Sequence, residues 1–174
     1  IDPTIPGYPT YSIEASTQGA NEEFNLRIQG TTLRDDANFE CQVGPANGEP
    51  FLRASANLTI IVPPEFPEIL GYRNGVTVDI PYTQHLINFT CLVRNARPAA
   101  TIKWYRNDQL VTQGIQTFTE PIVGDKRENT RSILTIGPSS NHQQEHGAVY
   151  KCSAENTALN TPLTSQKILY YLFI

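Results

Sequence analysis

Apolar and polar residues alternate with a period of two through much of this chain, in short bursts separated by Gly, Pro and Asn. That period places successive side chains on opposite faces of a strand. Residues 33–45, LRDDANFECQVGP, carry Asp35, Ala37, Phe39 and Cys41 on one parity and Glu40 and Gln42 on the other. The pattern predicts a half-buried strand with Phe39 and Cys41 inward and Glu40 and Gln42 outward. A turn containing Gly44, Pro45 and Gly48 follows, and residues 50–62 read as the next strand. There Leu52, Ala54, Ala56, Leu58 and Ile60 form the inward set, and Phe51, Arg53, Ser55 and Asn57 the outward one. A bulge would exchange the sets and send Phe51 into the core. Upstream, Pro3, Pro6, Gly7 and Pro9 exclude a central strand over residues 1–12 and predict an irregular edge crossing into a short strand at 11–15. A polar turn is expected over 18–23, then a strand in which Phe24, Leu26 and Ile28 alternate.

Val62-Pro63-Pro64 ends the fifty-series strand, because proline cannot continue a ladder, and predicts a short, stiff link. Beyond it the bursts resume: Phe89, Cys91 and Val93; a turn at 95–99; 101–106 around Trp104; 110–111; Ser132, Leu134 and Ile136; Ala148, Tyr150 and Cys152; and 163–173. No stretch has helical periodicity, so the chain reads as all-β. The order Cys91…Trp104…Cys152, with Tyr150 two residues before the second cysteine, is the core pattern of an immunoglobulin-like β-sandwich. A Cys91–Cys152 disulfide across the two sheets would stabilise that domain by about 4 kcal/mol in the chain-entropy model.

Asp35-x-Ala37-x-Phe39-x-Cys41 repeats the run that leads into the second of those cysteines, with Phe39 at the tyrosine position but lacking its hydroxyl. Residues 1–62 therefore read as the later strands of a first sandwich whose N-terminal strands lie outside this segment. Cys41 is left over: it is either a free or intermolecular thiol, or it pairs with a cysteine on a strand further N-terminal, the reading its inward position favours. The expectation is two tandem immunoglobulin-like sandwiches, the first lacking its N-terminal strands: residues 1–62, a junction at 63–66, and residues 67–174.

A net charge of −4 and no basic run exclude an electrostatic footprint for nucleic acid. The last apolar run, 168–174, is too short to span a membrane, which takes about 20 residues. Asn57-Leu58-Thr59 and Asn88-Phe89-Thr90 are sequons and, with the disulfide pattern, point to an extracellular setting. His142-x-x-Glu145-His146 has the spacing of an inverted zinc-peptidase motif, but falls in a connection before Cys152 where no helix is expected. His85 reads as a solvated residue, Asp35-Asp36 as a corner-ordering pair, and Lys126-Arg127 between Asp125 and Glu128 as a hairpin tip. There is no nucleophile elbow and no phosphate loop, so neither an enzyme nor a cofactor is expected.

The runs Ile5-Pro6-Gly7-Tyr8-Pro9 with Tyr11, Phe24-Asn25-Leu26-Arg27-Ile28, and residues 35–45 together resemble the first immunoglobulin domain of the nephrin family. Residues 58–64 and 95–105, with Trp104, resemble the same family and its Neph/Kirre/Roughest partners. Thr10 departs from the pattern, where an Arg would pair with Asp35, and so does His146 in the second domain. The resemblance implies a single-pass cell-surface adhesion receptor that binds a Neph/Kirre/Roughest-type ectodomain on a facing cell, with weak homophilic contact as a further option and no small-molecule substrate. It also implies contact through the outward face and turn of the first domain: Glu40, Gln42, Gly44, Pro45, Phe51 and Arg53. The plainer reading of Gln42 is a side chain that ties or hydrates its hairpin. A receptor for a soluble protein ligand is the alternative function.

Overall fold

The computed structural model describes residues 4, 5, 7–18, 21–45, 48, 50–72, 77–81, 86–137 and 145–172. Apart from one 3-10 turn and a helical residue at Glu145, its regular elements within these residues are strands. Contacts divide the chain into a first unit, Ile1–Ile60, and a second, Ile61–Ile174. The division falls just before the Val62-Pro63-Pro64 run.

In the first unit, β1 (Thr4–Ile5), β2 (Tyr8–Gln18) and β3 (Asn21–Ile28) form one antiparallel sheet. β2 begins earlier and runs longer than the prolines suggest. Pro9 is accommodated because β1 pairs with β2 only at Thr4–Ser12 and Ile5–Tyr8, with a register shift between them. On the other side of β2 the ladder to β3 begins only at Tyr11–Ile28, so Pro9 lies ahead of it. Strand β3 likewise starts at Asn21, inside the expected polar turn. A 3-10 turn, Leu33–Asp35, capped by Thr32, then delivers β4 (Ala37–Val43), which pairs with β5 (Leu52–Leu58) as a separate hairpin.

Inward side chains of both layers line an open apolar groove of about 770 Å³, among them Tyr11, Ile13, Phe24, Leu26, Phe39 and Cys41. No described residue of this unit is fully buried, and the Cys41 thiol is exposed and unbonded. The groove gives the inward parity of Phe39, Cys41, Ala54 and Ala56 its physical meaning: they line the open space between the two layers, with Phe39 half-buried and the other three exposed.

The second unit has β6 (Glu68–Leu70), β7 (Thr77–Pro81), β8 (Ile87–Ala96), β9 (Thr101–Arg106), β10 (Gln109–Val111), β11 (Ile115–Pro121), β12 (Glu128–Ile136), β13 (Val149–Glu155) and β14 (Leu163–Leu172). They form two sheets, β10-β9-β13-β14-β7 and β11-β12-β8-β6, with β14 and β7 parallel and the other pairs antiparallel. Cys91 of β8 and Cys152 of β13 are joined by a disulfide between the sheets. Around it Phe89, Val93, Trp104, Leu134 and Leu169 are fully buried. The Trp104 indole donates to Ser132 Oγ at 3.0 Å, which satisfies the one polar atom that its burial would otherwise strand. Phe89 lies at the centre of the aromatic contacts, 5.2 Å from the Tyr150 ring and 5.3 Å from Tyr72.

The proline-rich stretch belongs to the second unit. Val62 exchanges backbone hydrogen bonds with Arg97, Glu65 N–H donates to Arg94, and Asn156 Nδ2 donates to the Val62 and Pro98 carbonyls. On the other side of the division, Ile60 N–H donates to Asp36 Oδ2 at 2.9 Å. Only Ile61 is left between these two sets of bonds.

Candidate functional site: the outward face of the first-unit hairpin

The β4–β5 ladder runs without a bulge from Ala37–Leu58 to Val43–Leu52. Directly opposed residues in an antiparallel pair share a face. The rows Gln42–Arg53, Glu40–Ser55 and Asn38–Asn57 therefore lie on one face, and Phe39–Ala56 and Cys41–Ala54 on the other, toward the groove. All six side chains of the outward rows are exposed.

On this face Gln42 Nε2 donates to Glu40 Oε1 at 2.5 Å. The bond orients the amide so that its oxygen and one N–H stay open, and it leaves the carboxylate charged. Arg53 lies across from Gln42 and has no ion-pair partner among the described residues. The arrangement thus offers a guanidinium, an amide and a carboxylate side by side in solvent.

The tip is more apolar than alternation suggests. Phe51, just before β5, is 59% exposed, so it does not pack into a core. Val43 and Leu52 sit on the inward parity, yet they are 56% and 66% exposed because the groove ends short of their row. Sequence reasoning missed these two: strand parity gives the side of the sheet but not where its covering layer stops. Gly44 and Pro45 are exposed at the start of the turn, and Gly48 has a φ of 84° that favours glycine.

The face is braced from behind. Tyr11 of β2 donates its hydroxyl to Asp35 Oδ1 at 2.6 Å, while Asp35 Oδ2 accepts from Thr32 N–H and Oγ1. The Tyr11 bond, followed by the Thr32 backbone bond, holds the Asp35 carboxyl below its usual range, and the same carboxylate pushes the Tyr11 hydroxyl up to about 12. The partner that Thr10 cannot supply thus comes from the next residue. Tyr11 also touches the Phe39 ring, with centroids 6.0 Å apart, and so ties β2 to β4.

The remaining polar motifs are engaged in structure. Glu145 accepts from the Tyr150 hydroxyl at 2.6 Å and from Arg106 Nε at 3.1 Å, and His146 Nδ1 accepts from Tyr171 N–H. His142 and His85 lie outside the described residues, and no cluster of metal-binding side chains occurs among the described ones. Asp125 accepts from Arg127 N–H and guanidinium, closing the Lys126-Arg127 turn on itself. Asn88 is exposed on β8 opposite Thr135, in the sheet away from β13. No described helix is long and apolar enough to cross a membrane.

In the second unit, a two-sheet sandwich pinned by a buried disulfide beside a tryptophan defines an immunoglobulin-type domain. Residues 73–162 match the family model described as a CD80-like C2-set immunoglobulin domain, and the chain belongs to that family. It is 36% identical to human (Homo sapiens) Kin of IRRE-like protein 1 over 89% of this chain and 19% of that protein. To mouse (Mus musculus) nephrin it is 28% identical over 99% of this chain and 13% of that protein. The crystal structure of Rst D1-D2 superposes with a TM-score of 0.80 at 26% identity, covering 96% of this chain and 77% of that one. The chain spans about a fifth or less of the length of the curated relatives it matches.

Proposed function

We propose that this chain is the adhesive part of a cell-surface receptor, and that it binds a Neph/Kirre/Roughest-type immunoglobulin ectodomain on a facing cell through the outward face of β4 and β5. The observation that carries this reading is the unbroken register that lines up Glu40, Gln42 and Arg53 on one solvent-exposed face, with Phe51 beyond them. Relatives drawn from both the Kin of IRRE-like and nephrin groups support a partner of the same general class. Binding here is recognition without turnover. Phe51 supplies an apolar anchor at the tip, with Gly44 and Pro45 shaping the turn beside it. Arg53 and the Gln42–Glu40 pair supply polar complementarity that excludes partners with a basic or purely apolar counter-face.

The test is binding between cells displaying the full-length receptor and soluble Kin of IRRE-like or nephrin ectodomains. Gln42→Asp sets a second carboxylate beside Glu40 without touching a buried residue. The variant is expected to reach the surface normally and to weaken binding by about tenfold or more. Unchanged binding would move the site elsewhere, and retained binding to cells and ectodomains lacking any such immunoglobulin protein would favour a soluble ligand.

A further inference from the structure

We propose that Asn57 carries an N-linked glycan that fences the adhesive face at the end away from the hairpin turn, confining the partner to the Glu40–Ser55 and Gln42–Arg53 rows and the tip. This inference rests on the adhesive-face reading above. The sequon Asn57-Leu58-Thr59 lies at the end of β5, with Asn57 and Thr59 exposed and Leu58 half-buried. Residues two apart in an extended chain project to the same side, so the acceptor amide and the Thr59 hydroxyl are presented together.

The row to which Asn57 belongs explains the choice of place. It pairs with Asn38, and this row has neither a charged nor an apolar side chain to offer a protein partner. Four residues along β5 from Asn57 lies Arg53, about 13 Å away at the usual rise per residue. Ser55 lies between them, one row from each. A glycan core is wider than one row spacing. From Asn57 it therefore covers its own row and abuts the next, leaving the Gln42–Arg53 row open.

Attachment is a group transfer with no redox change. The Asn57 side-chain nitrogen attacks the anomeric carbon of a lipid-diphosphate-linked oligosaccharide. The bond from that carbon to the phosphate oxygen breaks as the N–C bond forms. The amide gives up one proton, and the lipid diphosphate leaves.

Mass spectrometry of the full ectodomain secreted from eukaryotic cells reads occupancy without any partner. Asn57 is expected to be occupied, and an unmodified Asn57 would overturn the proposal. Thr59→Ala removes the sequon while keeping Asn57, and binding to the soluble ectodomain is expected to stay within about twofold. A gain of about tenfold or more would put the glycan inside the footprint and overturn its role as a boundary. The pair Ser55→Asn with Asn57→Thr moves the sequon one row toward Gln42. It is expected to lower affinity about tenfold or more, with recovery when the glycan is trimmed to its first sugar. Arg53→Asn, which creates a sequon over residues 53–55, provides a second placement should that pair fail to secrete, and it is read against Arg53→Gln, which loses the same guanidinium without gaining a glycan. If neither moved glycan weakens binding while Gln42→Asp still does, the fence is wrong and the face is right. If Gln42→Asp is also without effect, the adhesive-face reading fails and the fence with it.

Discussion

At the scale of single residues, two tyrosines hold the two units' corners through carboxylates. Tyr11 donates to Asp35 and Tyr150 to Glu145, each at 2.6 Å. Tyr150 occupies the position that the sequence marks, two residues before Cys152, and burial together with Glu145 pushes its hydroxyl up. In the first unit that position is Phe39, and the hydroxyl arrives from Tyr11, which lies 24 residues from Asp35 in sequence. The substitution was legible as a loss of hydroxyl, but its replacement was not, because it depends on which strand packs beside the corner. A third carboxylate gives a direct pH test. Bonds from the Arg127 side chain and then its backbone lower the Asp125 carboxyl from 3.8 to about 2. A lowered folded-state value means that this contact stabilises the fold fully above 3.8, and the contribution fades as pH falls toward about 2. An NMR titration of the Asp125 carboxyl carbon is expected to show its midpoint near that lower value, and Arg127→Ala, which keeps the backbone bond, is expected to raise it toward the ordinary range. A midpoint already ordinary in the unsubstituted protein would show that the clasp does not hold in solution.

At the scale of elements, strands with strict alternation and a buried face were readable, and strands defined by their edges were not. β4, β5, β8, β9 and β13 carry apolar residues at every second position and lie where the sequence puts them. β11 (IQTFTEP) escaped because the parity of Ile115 carries Thr117 and Thr119, both exposed, and Thr117 shares a hydrogen bond with the buried Ser132 hydroxyl. β6 has only three residues, too few to show a period, whereas β7 (TVDIP) does alternate, with Val78 and Ile80 buried, a signal that sequence reasoning missed. The entry to β11 depends on Gly114, whose φ is 71° and whose carbonyl accepts from Thr135 N–H. A Cβ there would lie 2.5 Å from the Thr135 backbone oxygen. Gly114→Ala therefore combines a left-handed backbone with a backbone clash and is expected to destabilise the second unit by about 2 kcal/mol. Denaturant unfolding followed through Trp104 fluorescence measures this, since Trp104 is the chain's one tryptophan and lies in that core. A loss below about 0.5 kcal/mol would mean that the turn relaxes without cost.

At the scale of the whole molecule, the two units share a plan and differ in how it is completed. The second has a buried core and a disulfide pin; the first has an open apolar groove and an unbonded Cys41. The open groove leaves most of the inward side chains of the first unit's hairpin exposed. The outward face is ordered all the same: its side chains are set by the β4–β5 ladder and braced by Tyr11 and Asp35. Alternation was enough to group Glu40, Gln42 and Arg53, whereas the exposed tip formed by Phe51, Leu52 and Val43 needed the layers to be seen.

The central claim is that this face meets the partner. Amide hydrogen exchange of the full ectodomain, alone and saturated with a Kin of IRRE-like or nephrin ectodomain, tests it most directly. The account predicts slowed exchange across residues 40–43 and 51–55, with the sheet β11-β12-β8-β6 unchanged. Protection confined to the second unit, with the first-unit hairpin exchanging as it does alone, would contradict it.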